Sequence, residues 1–321
     1  NYESAHIDNN NKLIKIDSKK DFVKSILTIP LNYLRKKNYI DFISRNLLLT
    51  KKIYNYDELK EICEKRYEYV IIGSDQVWNS EITGEESNIY FLDGINVKKI
   101  SYAASTGDDK ADDLKRIIDN YKLFVAMSVR EEATYNKLRN QNIKIEINVD
   151  PTLLLNIDYW NSKITVNEEK CESNLLIYTL GKNKDLVSYS NYIKNKRKLK
   201  KIYTFSKQSR GLKNSKSLAI AGPLEFLDYF KKSTYVLTNS FHGTVFSIIF
   251  KKNFFVMLPE KRPERLISLL DLLGLSDRIV TNKSKLEKIL DSKIDYIKVE
   301  KILEKERKRS QKYISRAIGG K

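Results

Sequence analysis

The chain has 321 residues, enough for two ordinary domains, and its 41% hydrophobic content supplies packed cores, which excludes wholesale disorder. Charged residues make up 31% and no apolar run approaches about 18 residues, which excludes a membrane-spanning helix. The net charge of +18 invites a nucleic-acid reading, but the excess is lysine scattered along the chain, without an aromatic-basic motif or zinc-finger spacing, so no nucleic-acid partner is expected.

Residues 1 to 19 are polar and read as an irregular lead-in. Apolar positions between Lys20 and Asn46 recur at helical spacing, and Pro30 divides them into two pieces, because proline breaks a helix interior. Asp57 to Lys65 reads as a third helix with Leu59, Ile62 and Cys63 inward. An alternation follows, in which apolar runs at Tyr69–Gly73, Lys99–Ala104, Leu123–Val129 and Ile143–Val149 are separated by a polar loop and by helices at Asp108–Asn120 and Glu131–Arg139. A second series begins near Pro151, with strands at Leu175–Leu180, Lys201–Phe205, Leu218–Ala221, Tyr235–Leu237 and Phe254–Leu258. Helices fall between them at Lys184–Lys196, Leu224–Lys231 and Thr244–Phe250, and Leu266–Leu273 and a basic helix at Tyr296–Ala317 close the series.

Short apolar strands alternating with amphipathic helices predict an α/β fold of two Rossmann-like domains facing a cleft, with ligands at the strand C-terminal ends. The expected division is residues 1–150, 151–294, and a basic helix at 295–321. Cys63 and Cys171 are far apart and the only histidines are His6 and His242, so neither a metal site nor a cofactor is expected. No signal-peptide profile appears, and a cytoplasmic location is expected.

The most informative stretch is Leu237-Thr-Asn-Ser-Phe-His-Gly-Thr244, where a strand runs into a polar turn and then into an apolar helix. Asn239 or Ser240 can cap that helix, Gly243 permits close backbone approach, and the helix start suits a phosphate or carboxylate beside His242. The plainer alternative is a capped core helix with an incidental histidine. In Gly73-Ser-Asp-Gln-Val-Trp-Asn79, polar Ser74, Asp75, Gln76 and Asn79 with the plane of Trp78 suit a sugar. The same residues equally form an Asx turn with Trp78 packed into the core. Arg130 leaves a buried strand toward the cleft, either as a fork for carboxylate or phosphate or as a partner of nearby Glu131 and Glu132. Asp150-Pro-Thr152 reads best as a hinge with a structural aspartate.

Gly73–Asn79, Ser101-Tyr-Ala-Ala-Ser105, Ser128-Val-Arg-Glu131, Asp150-Pro-Thr-Leu-Leu154 and Thr238–Thr244 occur in this order, and together they resemble the polysaccharide pyruvyl transferase family from about residue 40 onward. The resemblance implies a metal-independent transferase of the glycosyltransferase type B architecture. It implies transfer of a pyruvyl group from phosphoenolpyruvate to a sugar or lipid-linked oligosaccharide of a surface polysaccharide, an exopolysaccharide among them, giving a ketal.

The resemblance implicates Arg130 and His242 in holding the donor; together with the helix-start reading, Asn239, Ser240, Gly243 and Thr244 are expected to bind it with Arg130, and His242 and Asp75 to be catalytic. Ser74, Gln76, Trp78 and Asn79 then bind the acceptor. Many relatives carry Arg-Leu-His where this chain has Ser240-Phe-His242, which removes a guanidinium; Lys261, Arg262 and Arg265 are nearby charges that could stand in. Asn1-Tyr-Glu3 resembles the segment after the family's second strand, so the expectation is either a sequence that starts late or a first sheet that lacks its opening part. A nucleotide-sugar glycosyltransferase and a catalytically degenerate binding protein are the alternatives. The basic final helix further suggests peripheral contact with the inner face of an anionic membrane.

Overall fold

The computed structural model describes residues 19–164, 173–205 and 211–320; the lead-in, His6 and Cys171 lie outside the described residues. Helix α1 spans Lys19–Asn46 and is continuous through Pro30, where two pieces were expected. Proline forfeits one backbone hydrogen bond there, and the Leu-, Ile- and Lys-rich turns on either side carry the helix across. Helix α2, Tyr56–Arg66, starts on an Asn55 cap whose side chain accepts from the Glu58 N–H.

The first sheet comprises β1 (Tyr69–Ile72), β2 (Lys98–Ser101) and β3 (Phe124–Ala126), all parallel. The expected strand at 123–129 divides at Met127, and its second piece, β4 (Ser128–Val129), pairs with β5 (Glu146–Ile147). Bridges from Ala104 to Asp75 and to Val129 join the two ladders at their C-terminal edge. Helices α3 (Ala111–Asn120) and α4 (Glu132–Arg139) connect these strands. A 3-10 turn at Pro151–Leu154, capped by the Asp150 carboxylate, and helix α5 (Ile157–Lys163) lead to the second sheet.

That sheet has five parallel strands: β6 (Asn174–Tyr178), β7 (Lys201–Thr204), β8 (Ser215–Ser217), β9 (Tyr235–Thr238) and β10 (Asn253–Val256). Their order is β10-β9-β6-β7-β8. Strand β8 lies three residues before the apolar run expected at 218–221, because the backbone of Ser215–Ser217 is what extends along β7. Helices α6 (Leu186–Lys196), α7 (Pro223–Lys232), α8 (Phe241–Ile249), α9 (Glu264–Leu272) and α10 (Lys283–Leu290) cover both faces.

Strands β9 and β7 flank β6 on opposite sides, so the chain changes direction between β6 and β9. Crevices at such switch points are where wound sheets take ligands. The Thr238 hydroxyl donates to the Tyr178 carbonyl, and the Asn239 amide bonds both the N–H and the C=O of Leu180, locking the two strand ends together. Helix α11 (Tyr296–Ala317) packs Val299 and Leu303 on the second core and Tyr313 and Ile314 on the first sheet. Among the described residues, no helix is long and apolar enough to cross a membrane.

Candidate active site

Strand β1 ends at Gly73, which has φ of +106° and lies so close to β2 that a Cβ would meet the Tyr102 carbonyl at 2.5 Å. The turn that follows holds Asp75 at φ 64°, with its carbonyl accepting from the N–H groups of Ser105 and Val77, both at 2.9 Å. Its side chain remains 53% exposed and points toward Arg130. Arg130 leaves β4 as a buried guanidinium and donates to Asp150 at 2.7 Å, Glu131 at 3.0 Å and Asp75 at 3.2 Å. Asp150 follows β5, accepts from Thr152 through Oδ1, and stands with Oδ2 3.3 Å from Ser74 Oγ and 3.8 Å from His242 Nε2. The ends of β1, β4 and β5 therefore converge.

The opposite wall comes from the second sheet. Ser240 caps α8 by accepting from the Gly243 N–H, so the helix begins at Phe241, three residues earlier than expected. This presents His242 to the cleft with its side chain 36% exposed. Arg265, from the first turn of α9, donates to Asp75 at 2.7 Å, and its guanidinium shares the Phe241 ring with that of Arg130. Arg262 reaches Glu81 and Asp108 instead, a second tie across the cleft.

Burial is the largest single influence on the pKa of Asp75 and Asp150 and would raise both. Arg130, Arg265 and His242 together outweigh it at Asp75, and Arg130, His242 and the Thr152 hydrogen bonds together outweigh it at Asp150, so both carboxyls are held below the usual range. Burial pushes His242 down, and Asp150 and Asp75 only partly oppose this, so the imidazole is neutral near pH 7. Burial alone would also lower Arg130; the three surrounding carboxylates raise it instead. Three carboxylates thus face two guanidiniums, leaving one negative charge in excess.

The structure brings together Ser74, Asp75, Arg130 and His242 of the residues singled out from the sequence. Trp78 and Asn79, expected to bind the acceptor, are both buried. Trp78 is only 2% exposed and stacks on Phe91, so its plane is covered by core, and buried Asn79 caps the turn at Ser80–Thr83. The Gln76 side chain accepts from Asn79.

Asn239, Gly243 and Thr244, expected to bind the donor, engage groups inside the fold through their side chains or close packing. Asn239 ties Leu180, and the Thr244 hydroxyl donates to the Ser240 carbonyl. A Cβ at Gly243 would meet Thr238 Oγ1 at 2.2 Å, so packing against β9 requires glycine there. Ser240 serves as the cap. Asp150, read as a hinge residue, and Glu131 and Arg265 complete the cluster. The signal available for all three was position at a strand end or a helix start.

A family model described as polysaccharide pyruvyl transferase matches residues 8–260. No curated protein matches the chain. Among solved structures, the chain is similar to UDP-GlcNAc 2-epimerase from Neisseria meningitidis bound to UDP-GlcNAc, at 14% identity and a TM-score of 0.53, over 82% of this chain and 79% of that one. It is also similar to UDP-GlcNAc 2-epimerase from Methanocaldococcus jannaschii, at 16% identity and a TM-score of 0.49, over 81% of this chain and 83% of that one. The first of these likenesses shows the fold, two Rossmann-like halves of the glycosyltransferase type B kind.

Proposed function

The chain belongs to the polysaccharide pyruvyl transferase family, and from that premise we propose that it moves a pyruvyl group from phosphoenolpyruvate to two hydroxyls of a sugar in a surface-polysaccharide precursor. The observation that carries this reading is the meeting of His242 from one sheet with Asp75, Arg130 and Asp150 from the other.

In this reading Arg130 holds the donor, and the donor's negative charge draws a proton onto the imidazole that burial otherwise keeps neutral. His242 protonates the methylene carbon, which becomes a methyl group, and the adjacent carbon becomes cationic. The first sugar hydroxyl attacks that carbon and loses its proton to Asp75. Attack by the second hydroxyl expels phosphate and closes the ketal, its proton returning to His242, while Asp75 gives its proton to the departing phosphate. Atoms and charges balance, and no redox partner is required. Lysines on the outer face of α11 support peripheral contact with an anionic membrane, on the cytoplasmic side where a lipid-linked acceptor would lie.

The test is a pair of variants. His242→Ala lowers phosphoenolpyruvate-dependent phosphate release by ~10²–10⁴-fold while the protein stays folded. His242→Gln as low as alanine identifies proton transfer; near wild type, it identifies donor binding alone. Full turnover in both variants overturns the reading. A melting-temperature rise with nucleotide-sugars and none with phosphoenolpyruvate points instead to a glycosyltransferase, and donor binding without turnover to a degenerate binding protein.

A further inference from the structure

A donor with several negative charges must enter a site whose guanidiniums are already neutralised. Arg130 and Arg265 arrive from opposite sheets, yet both lie over the Phe241 ring, at 4.2 and 5.1 Å from its centroid. Both also donate through one terminal nitrogen to a single oxygen, Asp75 Oδ1, at 3.2 and 2.7 Å. The carboxylates around them differ in freedom. The Glu131 and Asp150 side chains are about as buried as Arg130 itself, whereas the Asp75 side chain is open to the cleft. Among the described residues, Arg265 Nε is buried with no hydrogen-bond acceptor, the nearest Glu131 oxygen standing at 3.7 Å.

We propose that Arg130 and Arg265 form one fork for the carboxylate of the donor, that Asp75 occupies the fork in the empty site, and that the incoming carboxylate displaces it toward the acceptor. This rests on the phosphoenolpyruvate reading above. The exchange replaces one planar carboxylate by another, so it needs no new charge in the fork, and guanidinium pairs select that planar group. Entry without displacement would add an anion to a cluster that already has a negative excess. Asp75 released from two guanidiniums loses the influence that depresses its basicity, so donor binding also readies the base that receives the sugar proton. Arg265 is a binding residue in this account, and it makes the site competent only when both sheets are in place.

Calorimetric titration with phosphoenolpyruvate and with vinyl phosphate, which lacks the carboxylate, tests the fork. The wild type prefers phosphoenolpyruvate, and Arg265→Ala reduces that preference by about tenfold or more. Vinyl phosphate affinity stays unchanged in the same variant, which shows that the variant is folded. Arg265→Lys recovers part of the preference. Asp75→Asn, in a residue type that tolerates φ near +60°, tightens phosphoenolpyruvate binding several-fold while transfer is lost. Full preference in Arg265→Ala, or unchanged or weaker binding in Asp75→Asn, overturns the proposal. A wild type that binds both compounds equally overturns the fork alone; one that binds no phosphoenolpyruvate overturns the donor reading and the fork with it.

Discussion

The five-stranded sheet is covered on both faces by large apolar clusters, and Leu175, Leu176 and Ile177 of β6 are completely buried. The first sheet has one such cluster, and its other face is covered by Tyr313, Ile314 and Ala317 of α11 with Leu154, leaving Ile71 49% and Val125 55% exposed. Yet the first sheet supplies Asp75, Arg130, Glu131 and Asp150 of the site, while the second supplies His242 and Arg265. Apolar burial and polar chemistry are thus unevenly shared, and buried ion pairs in one half meet a histidine held by the apolar core of the other.

Core truncation provides the harshest comparison. Phe254→Ala, on β10, costs about 3–5 kcal/mol in urea unfolding, whereas Ile71→Thr on the exposed face of β1 stays within about 0.5 kcal/mol. Equal losses would erase the distinction between the sheets. Next comes Asp150→Ala, which removes a carboxylate from buried Arg130 and costs about 3 kcal/mol, the lower end for a broken buried pair because Glu131 and Asp75 remain. A loss under about 0.5 kcal/mol would mean that the polar cluster adds nothing to the stability of the first half.

A smaller effect concerns α11, which touches both halves. Of its basic side chains, Arg307 is held by Leu153 and Glu300, Lys308 by Glu304, Arg309 by Glu306 and Arg316 by Glu146; beyond Lys298 in the first turn, Lys301, Lys305 and Lys312 stand on exposed positions. Exchanging these three for glutamine weakens co-sedimentation with anionic vesicles by up to about 1 kcal/mol per residue. Unchanged sedimentation removes the membrane contact.

The smallest effect is in pH. His242 titrates below its unfolded value of about 6.5, so the unfolded chain binds the extra proton as pH falls. Its contribution is complete above that value and declines as pH drops toward the depressed folded value. Melting temperatures should therefore fall less in His242→Gln than in wild type between about pH 7 and 5. Parallel curves would show that the imidazole is not disfavoured by its setting.

Much of this organisation was readable from residue order, because strands buried on both sides appear as unbroken apolar runs and their polar ends stand out. Arg130 and His242 were found in that way. Orientation was not readable at Trp78: the same spacing serves an exposed plane or a core plug, and the stacking partner Phe91 lies across a loop. Asp150 was legible only as a turn-former, since Arg130 is 20 positions away in the chain and His242 lies in the other sheet. At Pro30 and at β8 the structure departs from local preference for a shared reason: backbone hydrogen bonding carried by neighbouring residues overrides it.

The position of α11 in the chain also orders events during synthesis. Its Ser310 hydroxyl accepts from the Val149 N–H, just before Asp150, and its Tyr313 hydroxyl donates to the Ser101 carbonyl at the end of β2. Translation at about 10 residues per second delivers this helix several seconds after Arg265. A nascent chain in that interval already holds every residue of the polar cluster, yet the strand ends that aim Arg130 and Asp150 lack their last partners. These two hydrogen bonds form only when the helix has left the ribosome, so a prematurely halted product carries the polar residues without the bonds that brace their strand ends.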